Sequence, residues 1–254
     1  MKLSHHLAYL IAPLIATGGA SAAALPARHA DDKPAYFVLA GDSTTAVGGG
    51  WGDGFLETTL LSPATGKNLG HSGATTVSFR AGGDWSTVLS EIKSHKETHT
   101  VYVTIQFGHN DQKAPTGITI TDYANNLRAF ANEVTSASAT PILVTPLTRR
   151  TFSNGAVVEN LSNERKATIE VAEGLGARFI DLNRASTDYC NAIGAAASDS
   201  YNLAQGDRTH LNAWGGVVFG RLVSDLMVAK FEDIKEWTMP NATLSEQIRD
   251  GVQA

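Results

Sequence analysis

The chain has 254 residues, 43% hydrophobic and 18% charged, enough apolar material to pack either one large α/β domain or two small ones. A formal net charge of −5 gives no basic footprint, which argues against nucleic acid as a partner. The single cysteine, Cys190, excludes an intramolecular disulfide and reads as a small buried hydrophobe before a nucleophile, so stability must come from a conventional core.

Met1 to Ala24 reads as a secretory signal. Lys2 supplies the charge, Leu7 to Ala16 the apolar stretch, and Ala20-Ser21-Ala22 or Ala22-Ala23-Ala24 a small-residue cleavage site. The apolar stretch is short for a bilayer span, and no other segment suggests one. The expectation is a secreted, monomeric protein without a membrane anchor, with residues 25–254 as one mature domain that begins in a loose segment, Leu25 to Lys33. Asn160-Leu161-Ser162 and Asn241-Ala242-Thr243 are N-glycosylation sequons, consistent with export.

The first element is a short apolar run, Tyr36 to Ala40, which predicts a buried strand ending in Gly41-Asp42-Ser43-Thr44. The glycine loop Gly48 to Gly50 follows, then a helix from Gly54 to Leu61. Lys67 to Leu69 predicts a second strand, ending in Gly70-His71-Ser72-Gly73. Trp85, Val88, Leu89 and Ile92 repeat at helical spacing and place a helix at Trp85–Ser94. Thr100 to Phe107 is the strongest strand, rich in β-branched and aromatic residues, and it ends in Gly108-His109-Asn110-Asp111. A helix carrying Tyr123, Leu127, Phe130 and Val134 follows, then a strand from Pro141 to Thr145 stopped by Pro146. A helix from Ser162 to Leu175 leads to a fifth strand, Arg178 to Leu182. After a stretch of small residues, Asp207-Arg208-Thr209-His210 precedes a helix from Ala213 to Phe231. Leu244, Ile248 and Val252, four apart, predict a last short helix. Strands alternating with helices imply a parallel sheet in a three-layer α/β/α sandwich.

Three polar loops thus follow strands one, two and three at the carboxyl edge of the sheet, the edge where open α/β folds bind ligands. The fourth, Asp207 to His210, precedes a helix that starts at the same edge. Ser43 alone is either a turn-former or a nucleophile. A serine hydroxyl reacts only when a base takes its proton, which His210 can do, and the imidazole needs a carboxylate on its other nitrogen, which Asp207 can supply from three residues away. The backbone N–H groups of Ser43 and Gly73 and the side-chain amide of Asn110 are candidate donors to an oxyanion.

With these residues in view, the sequence resembles the SGNH (GDSL-type) hydrolases, whose four blocks correspond to Gly41-Asp42-Ser43-Thr44, the Gly73 loop, Gly108-His109-Asn110-Asp111 and Asp207-Arg208-Thr209-His210. Within that group Ala40 to Thr44, Gln106 to Lys113 and the Asp-x-Thr-His core are most similar to the rhamnogalacturonan acetylesterases, carbohydrate esterase family twelve. The resemblance spans Ala35 to Phe231. It implies a flavodoxin-like sheet of five parallel strands, Ser43 as nucleophile, His210 as base, Asp207 as its partner, and Ser43, Gly73 and Asn110 as the oxyanion hole. It implies an acetylated pectic polysaccharide or oligosaccharide as substrate, and neither cofactor nor metal. The second block departs from the family pattern by lacking an arginine and a serine soon after the glycine, and the chain lacks the disulfides of fungal relatives.

Other residues have plainer readings. Asp42 reads as a turn-shaping acceptor, and His109 and Asp111 as groups fixing the loop that presents Asn110. His71 reads as a surface histidine and Trp85 as core. Trp51 and Trp214 are candidates to stack on sugar rings, and Arg80 is either a contact for a galacturonate carboxylate or a solvated arginine. Asp188 and Asp199 have no assigned role. Three competing functions are considered: a metallophosphoesterase, which lacks the needed Asp-x-His and Gly-His-x-His ligands, a non-catalytic carbohydrate-binding module, and a broader acetyl esterase or lipase-like enzyme of the same fold.

Overall fold

A strand buried along its whole length needs cover on both faces, the condition of a central strand in a parallel sheet. In the computed structural model, which describes residues 33–254, β1 (Ala35–Gly41) meets that condition at every residue. The predicted signal, Met1 to Ala24, lies outside the described residues. The other strands of the sheet are β2 (Thr65–Asn68), β3 (Thr100–Gln106), β4 (Thr140–Val144) and β5 (Arg178–Ile180), all parallel, in the order β2-β1-β3-β4-β5. This is the flavodoxin-like order expected from the family resemblance. The order reverses direction between β1 and β3, and there the strand-end loops part to leave a crevice.

The alternation of side chains along β1 divides the core. Ala35, Phe37 and Leu39 face one side, with Phe55 of α1 (Gly52–Thr58) and, from the second half of the chain, Tyr189 of α6 (Leu182–Asp199) and Phe219 of α7 (Ala213–Lys230). Tyr36, Val38 and Ala40 face the other, with Phe79 of α2 (Thr76–Ala81), Trp85 of α3 (Asp84–His95), Phe130 of α4 (Ile120–Ser136) and Val171 of α5 (Ser162–Leu175). The result is the expected three-layer sandwich. Two short helices, α8 (Glu232–Lys235) and α9 (Ala242–Arg249), close the α7 side.

Most predicted elements lie within two residues of their expected bounds, and the departures have local causes. The first helix begins at Gly52 rather than Gly54 and stops at Thr58, beyond which Leu60 bridges to Thr238. The fifth strand stops at Ile180, since Asp181 caps α6 by accepting from the Arg184 N–H at 3.2 Å. The small-residue stretch is the main correction. It is part of α6, which is interrupted at Gly194 with φ +81° and buries Leu182, Tyr189 and Cys190. Its Ala-rich second half has too little contrast between apolar and polar faces to announce a helix. Helix α2 and a short antiparallel ribbon, Phe152–Ser153 with Ala156–Val157, also had no sequence signal. Val252 lies beyond α9 and is 52% exposed, so only Leu244 and Ile248 face the core.

The contact between α1 and α7 matters for the site. A Cβ on Gly54 would meet the Gly216 carbonyl at 2.0 Å, and one on Gly220 would meet the Phe55 nitrogen at 2.4 Å. Only glycine permits this approach of two backbones. It draws the start of α7, and the residues just before it, onto the loop that follows β1.

Candidate active site

Ser43 sits in a turn that is fixed from below. The Asp42 carboxylate accepts the Thr44 N–H at 2.9 Å and the Thr44 hydroxyl at 2.8 Å. The Thr44 hydroxyl in turn accepts from the Gln106 side-chain amide, whose oxygen takes the Trp51 indole N–H at 2.8 Å. All four of these side chains are buried. Burial works against the Asp42 charge, but the pull of the nearby His109 ring and the hydrogen bonds from Thr44 hold its carboxyl below the usual range. The His109 ring nitrogen is 3.5 Å from Asp42, an ion-pair distance longer than a normal hydrogen bond. Asp42 therefore shapes the turn, and Ser43 is left at its crest facing away from the sheet.

His210 reaches that crest. Its Nε2 lies 2.9 Å from the Ser43 Oγ, and its Nδ1 lies 2.8 Å from Asp207 Oδ2. An ionised carboxylate only accepts, so Nδ1 carries the proton and Nε2 is free to accept from the serine hydroxyl. Partial burial opposes the charge on Asp207, yet donors from the His210 backbone and ring and from the Thr209 N–H hold its carboxyl below the usual range. The segment is tied to the body at three points. The Leu211 N–H donates to the Gly49 carbonyl at 2.8 Å, the Arg150 N–H to the Arg208 carbonyl at 2.8 Å, and Asn212 caps α7 by accepting the Gly215 N–H at 2.8 Å.

The predicted oxyanion donors line the same groove as Ser43 and His210, a space of about 430 Å³. Gly73 has φ +82°, a left-handed conformation that favours glycine, and nothing lies within 4 Å of where a Cβ would stand. The Asn110 amide donates one hydrogen to the Ala74 carbonyl at 3.0 Å, and its oxygen accepts the Lys113 ammonium at 2.6 Å. These two contacts fix which way the amide points and leave its second N–H hydrogen unused. Asp111 braces the neighbouring segment, accepting the Thr76 N–H at 2.9 Å and the Thr76 hydroxyl at 2.6 Å. Burial raises the Asp111 carboxyl above its usual range. The two loops that carry Gly73 and Asn110 are thereby pinned to each other.

Sequence reasoning passed over Arg149 and Arg150. Arg149 donates to the Thr209 hydroxyl and to the His109 carbonyl, the latter at 3.2 Å, and so joins the loop of the base to the loop of Asn110. Arg150 is fully buried, donating to the Asn202 side chain at 2.8 Å and to the His210 carbonyl at 2.6 Å. Burial lowers its guanidinium to about 10. Two adjacent arginines after a strand suggest a solvated loop, and nothing local marks one of them as buried.

Trp51 is not a sugar platform: its ring is fully buried and its N–H is taken by Gln106. Trp214 is 50% exposed but bonded to the Ala254 carbonyl, outside the groove lining. Trp85 packs in the core against Phe130 at 4.1 Å. Arg80 is held by the Glu133 carboxylate and lies over the Phe130 ring, and His71 pairs with Asp84 at 2.8 Å. Asp188 pairs with Arg184, and Asp199 with Arg208 beside the base. Burial pushes the Cys190 thiol up to about 11, which does not suit a nucleophile. Both sequon asparagines are exposed, and Asn241 caps α9. Among the described residues no group of three His, Cys, Asp or Glu side chains is placed to hold a metal ion, and no helix is long and apolar enough to cross a membrane.

Residues 39–216 match the sequence profile of the GDSL-like Lipase/Acylhydrolase family. The chain is 30% identical over 214 residues to the rhamnogalacturonan acetylesterase RhgT of Bacillus subtilis (strain 168), covering 76% of this chain and 89% of the relative. It is 26% identical to the probable rhamnogalacturonan acetylesterase YesY of the same organism, covering 81% and 94%. Among solved structures, a Bacillus subtilis protein superposes with a TM-score of 0.68 at 22% identity over 78% of this chain, which spans 57% of that longer chain. An acetylxylan esterase from Geobacillus stearothermophilus gives 0.57 at 19% identity, covering 76% and 93%. The structural likenesses carry the fold, while the profile match and the sequence relatives carry descent: the chain belongs to the GDSL-like lipase/acylhydrolase family, the SGNH hydrolases, and is a carboxylic ester hydrolase.

Proposed function

We propose that this enzyme removes acetyl groups from a plant cell-wall polysaccharide, rhamnogalacturonan before others, through Ser43, His210 and Asp207. The observation that carries the reading is the relay of 2.9 Å and 2.8 Å from Ser43 through His210 to Asp207, in one groove with Gly73 and Asn110. His210 Nε2 takes the Ser43 proton as Oγ adds to the acetyl carbonyl carbon. Negative charge develops on the carbonyl oxygen, where the N–H groups of Ser43 and Gly73 and the Asn110 amide can receive it. Collapse of the tetrahedral species breaks the bond to the sugar oxygen, which leaves with the proton from His210. Water then attacks the acetyl-Ser43 carbonyl, giving its proton to His210, and acetate departs as Ser43 regains its hydrogen.

The acetyl preference is supported by the groove's small lining, Gly48, Gly49, Ser72 and Gly73, and by two relatives named rhamnogalacturonan acetylesterases. A longer acyl chain is the second reading, because Val47 and Leu203 on the groove are 70% and 47% exposed. Acetate release from acetylated rhamnogalacturonan and from acetylated xylan, with p-nitrophenyl acetate and octanoate as simple esters, separates these. A preference for octanoate would defeat the acetylesterase reading, and turnover retained in Ser43→Ala would defeat the serine mechanism. Export as a monomer is proposed on the N-terminal sequence pattern and the carbohydrate substrate. A leader peptide intact on the protein recovered from the native host would contradict export.

A further inference from the structure

Among the described residues lining the groove, Lys113 carries the one fixed charge. Its backbone is set by the loop that presents Asn110, with the Lys113 N–H donating to the Asn110 carbonyl at 3.1 Å and the Lys113 carbonyl accepting the Thr116 N–H at 2.9 Å. Its ammonium is held against Asn110 Oδ1 at 2.6 Å, yet it forms no ion pair among the described residues. The other cations around the site are committed. Arg80 is matched by Glu133, His71 by Asp84, and Arg149 is spent on Thr209 and the His109 carbonyl. An ammonium has three donors, so Lys113 keeps two for a ligand in the groove.

We propose that Lys113 is a specificity-determining residue that receives a substrate carboxylate, that of a uronate at or beside the acetylated sugar. The proposal rests on the acetylesterase reading and names the substrate class of that same groove. Two observations carry it. First, the ammonium lines the same groove as Ser43, Gly73 and His210 and is bonded to the side-chain oxygen of the amide that is the expected oxyanion donor. A carboxylate on the acetylated sugar or its neighbour can reach this ammonium while the ester lies at Ser43, because both side chains line one groove. Second, the chain as a whole carries a net charge of −5 and repels an anionic polymer, so a local cation at the reacting groove is what lets such a polymer dock. The bond to Asn110 also links the two tasks. The cation that reads the carboxylate holds the amide whose other end faces the reacting carbonyl.

The test compares three substrates: an acetylated galacturonate oligosaccharide with free carboxylates, the same oligosaccharide with its carboxylates methyl-esterified, and p-nitrophenyl acetate. The wild type is expected to favour the free acid over its methyl ester by about 5-fold in kcat/KM at low salt, shrinking as salt screens the contact. Lys113→Met should remove that preference through KM for the free acid, and Lys113→Arg should keep it. p-Nitrophenyl acetate reports the loss of amide alignment separately, as a factor common to all three substrates. A wild type that treats acid and ester alike overturns the proposal. So does a Lys113→Met variant that slows all three equally with the preference intact, since Lys113 would then only hold Asn110. Absence of turnover on every substrate, p-nitrophenyl acetate included, would overturn the acetylesterase reading itself.

Discussion

Replacing Asn110 with alanine separates an oxyanion donor from a structural brace. The side chain makes two bonds within the protein, to the Ala74 carbonyl at 3.0 Å and from Lys113 at 2.6 Å. Losing the first leaves a carbonyl without that partner and costs about 1 kcal/mol, the net worth of a neutral hydrogen bond. Losing the second costs little, because the exposed ammonium returns to water. The expected loss of stability is therefore about 1–2 kcal/mol, a few degrees in Tm for a chain of this size. On the proposed mechanism the loss in the transition state is larger, because the remaining amide hydrogen would receive the developing charge. One such donor is worth roughly 3 kcal/mol, or about 10²–10³ in kcat. Steady-state kinetics on p-nitrophenyl acetate alongside thermal unfolding give both numbers. The expected signature is a kcat loss far beyond the stability loss, with KM nearly unchanged. A folded Asn110→Ala enzyme with kcat within about 5-fold of the wild type would refute the assignment of Asn110 to the oxyanion hole.

Arg150→Met should loosen the loop of the base without touching the groove. It removes two charge-assisted bonds from a fully buried side chain and leaves the His210 carbonyl without that donor, so a stability loss of about 2–4 kcal/mol in urea unfolding and a fall in kcat are expected. Trp51→Phe should lower stability by about 2 kcal/mol by emptying part of a buried site and orphaning Gln106, with KM for polysaccharide unchanged. A large rise in KM would restore Trp51 as a sugar contact. The acid limb of stability follows from two carboxylates of opposite sign. The Asp207 carboxyl is held below its ordinary value of 3.8, so its stabilisation is complete above that value and is lost as pH falls through the lower folded pKa. The Asp111 carboxyl is raised, so its cost appears as pH rises through 3.8 and the folded pKa above it. Urea unfolding from about pH 3 to about pH 7 should show Asp207→Ala losing its deficit toward acid and Asp111→Asn gaining on the wild type toward neutrality. Parallel curves would contradict both.

The β-branched run of Thr100 to Gln106 and the apolar run of Tyr36 to Ala40 announced strands, because a strand buried on both faces needs little beyond hydrophobic continuity. The glycine and polar residues that end them announced loops, and the four-block pattern announced which loops matter. The Asp207–His210 contact was legible for a local reason: three residues separate the partners, so one turn of chain brings them together. Helix α6 was not legible, since its apolar stripe rests largely on small residues and is broken at Gly194, and its order comes from burying Tyr189 and Cys190.

What the sequence determined by itself was the set of residue types and the order of the strands and loops that bear them. Those follow from local hydrophobic pattern and turn chemistry. Only the tertiary structure decided which charges are spoken for. Arg80, a candidate for the substrate in the sequence, is matched by Glu133, 53 residues away, while Arg150 is drawn inside to hold His210, 60 residues away, and Lys113 has no counter-ion among the described residues. The strength of a charge depends on the partners and the water left around it, and these are set by segments far apart in the chain that only folding brings into contact.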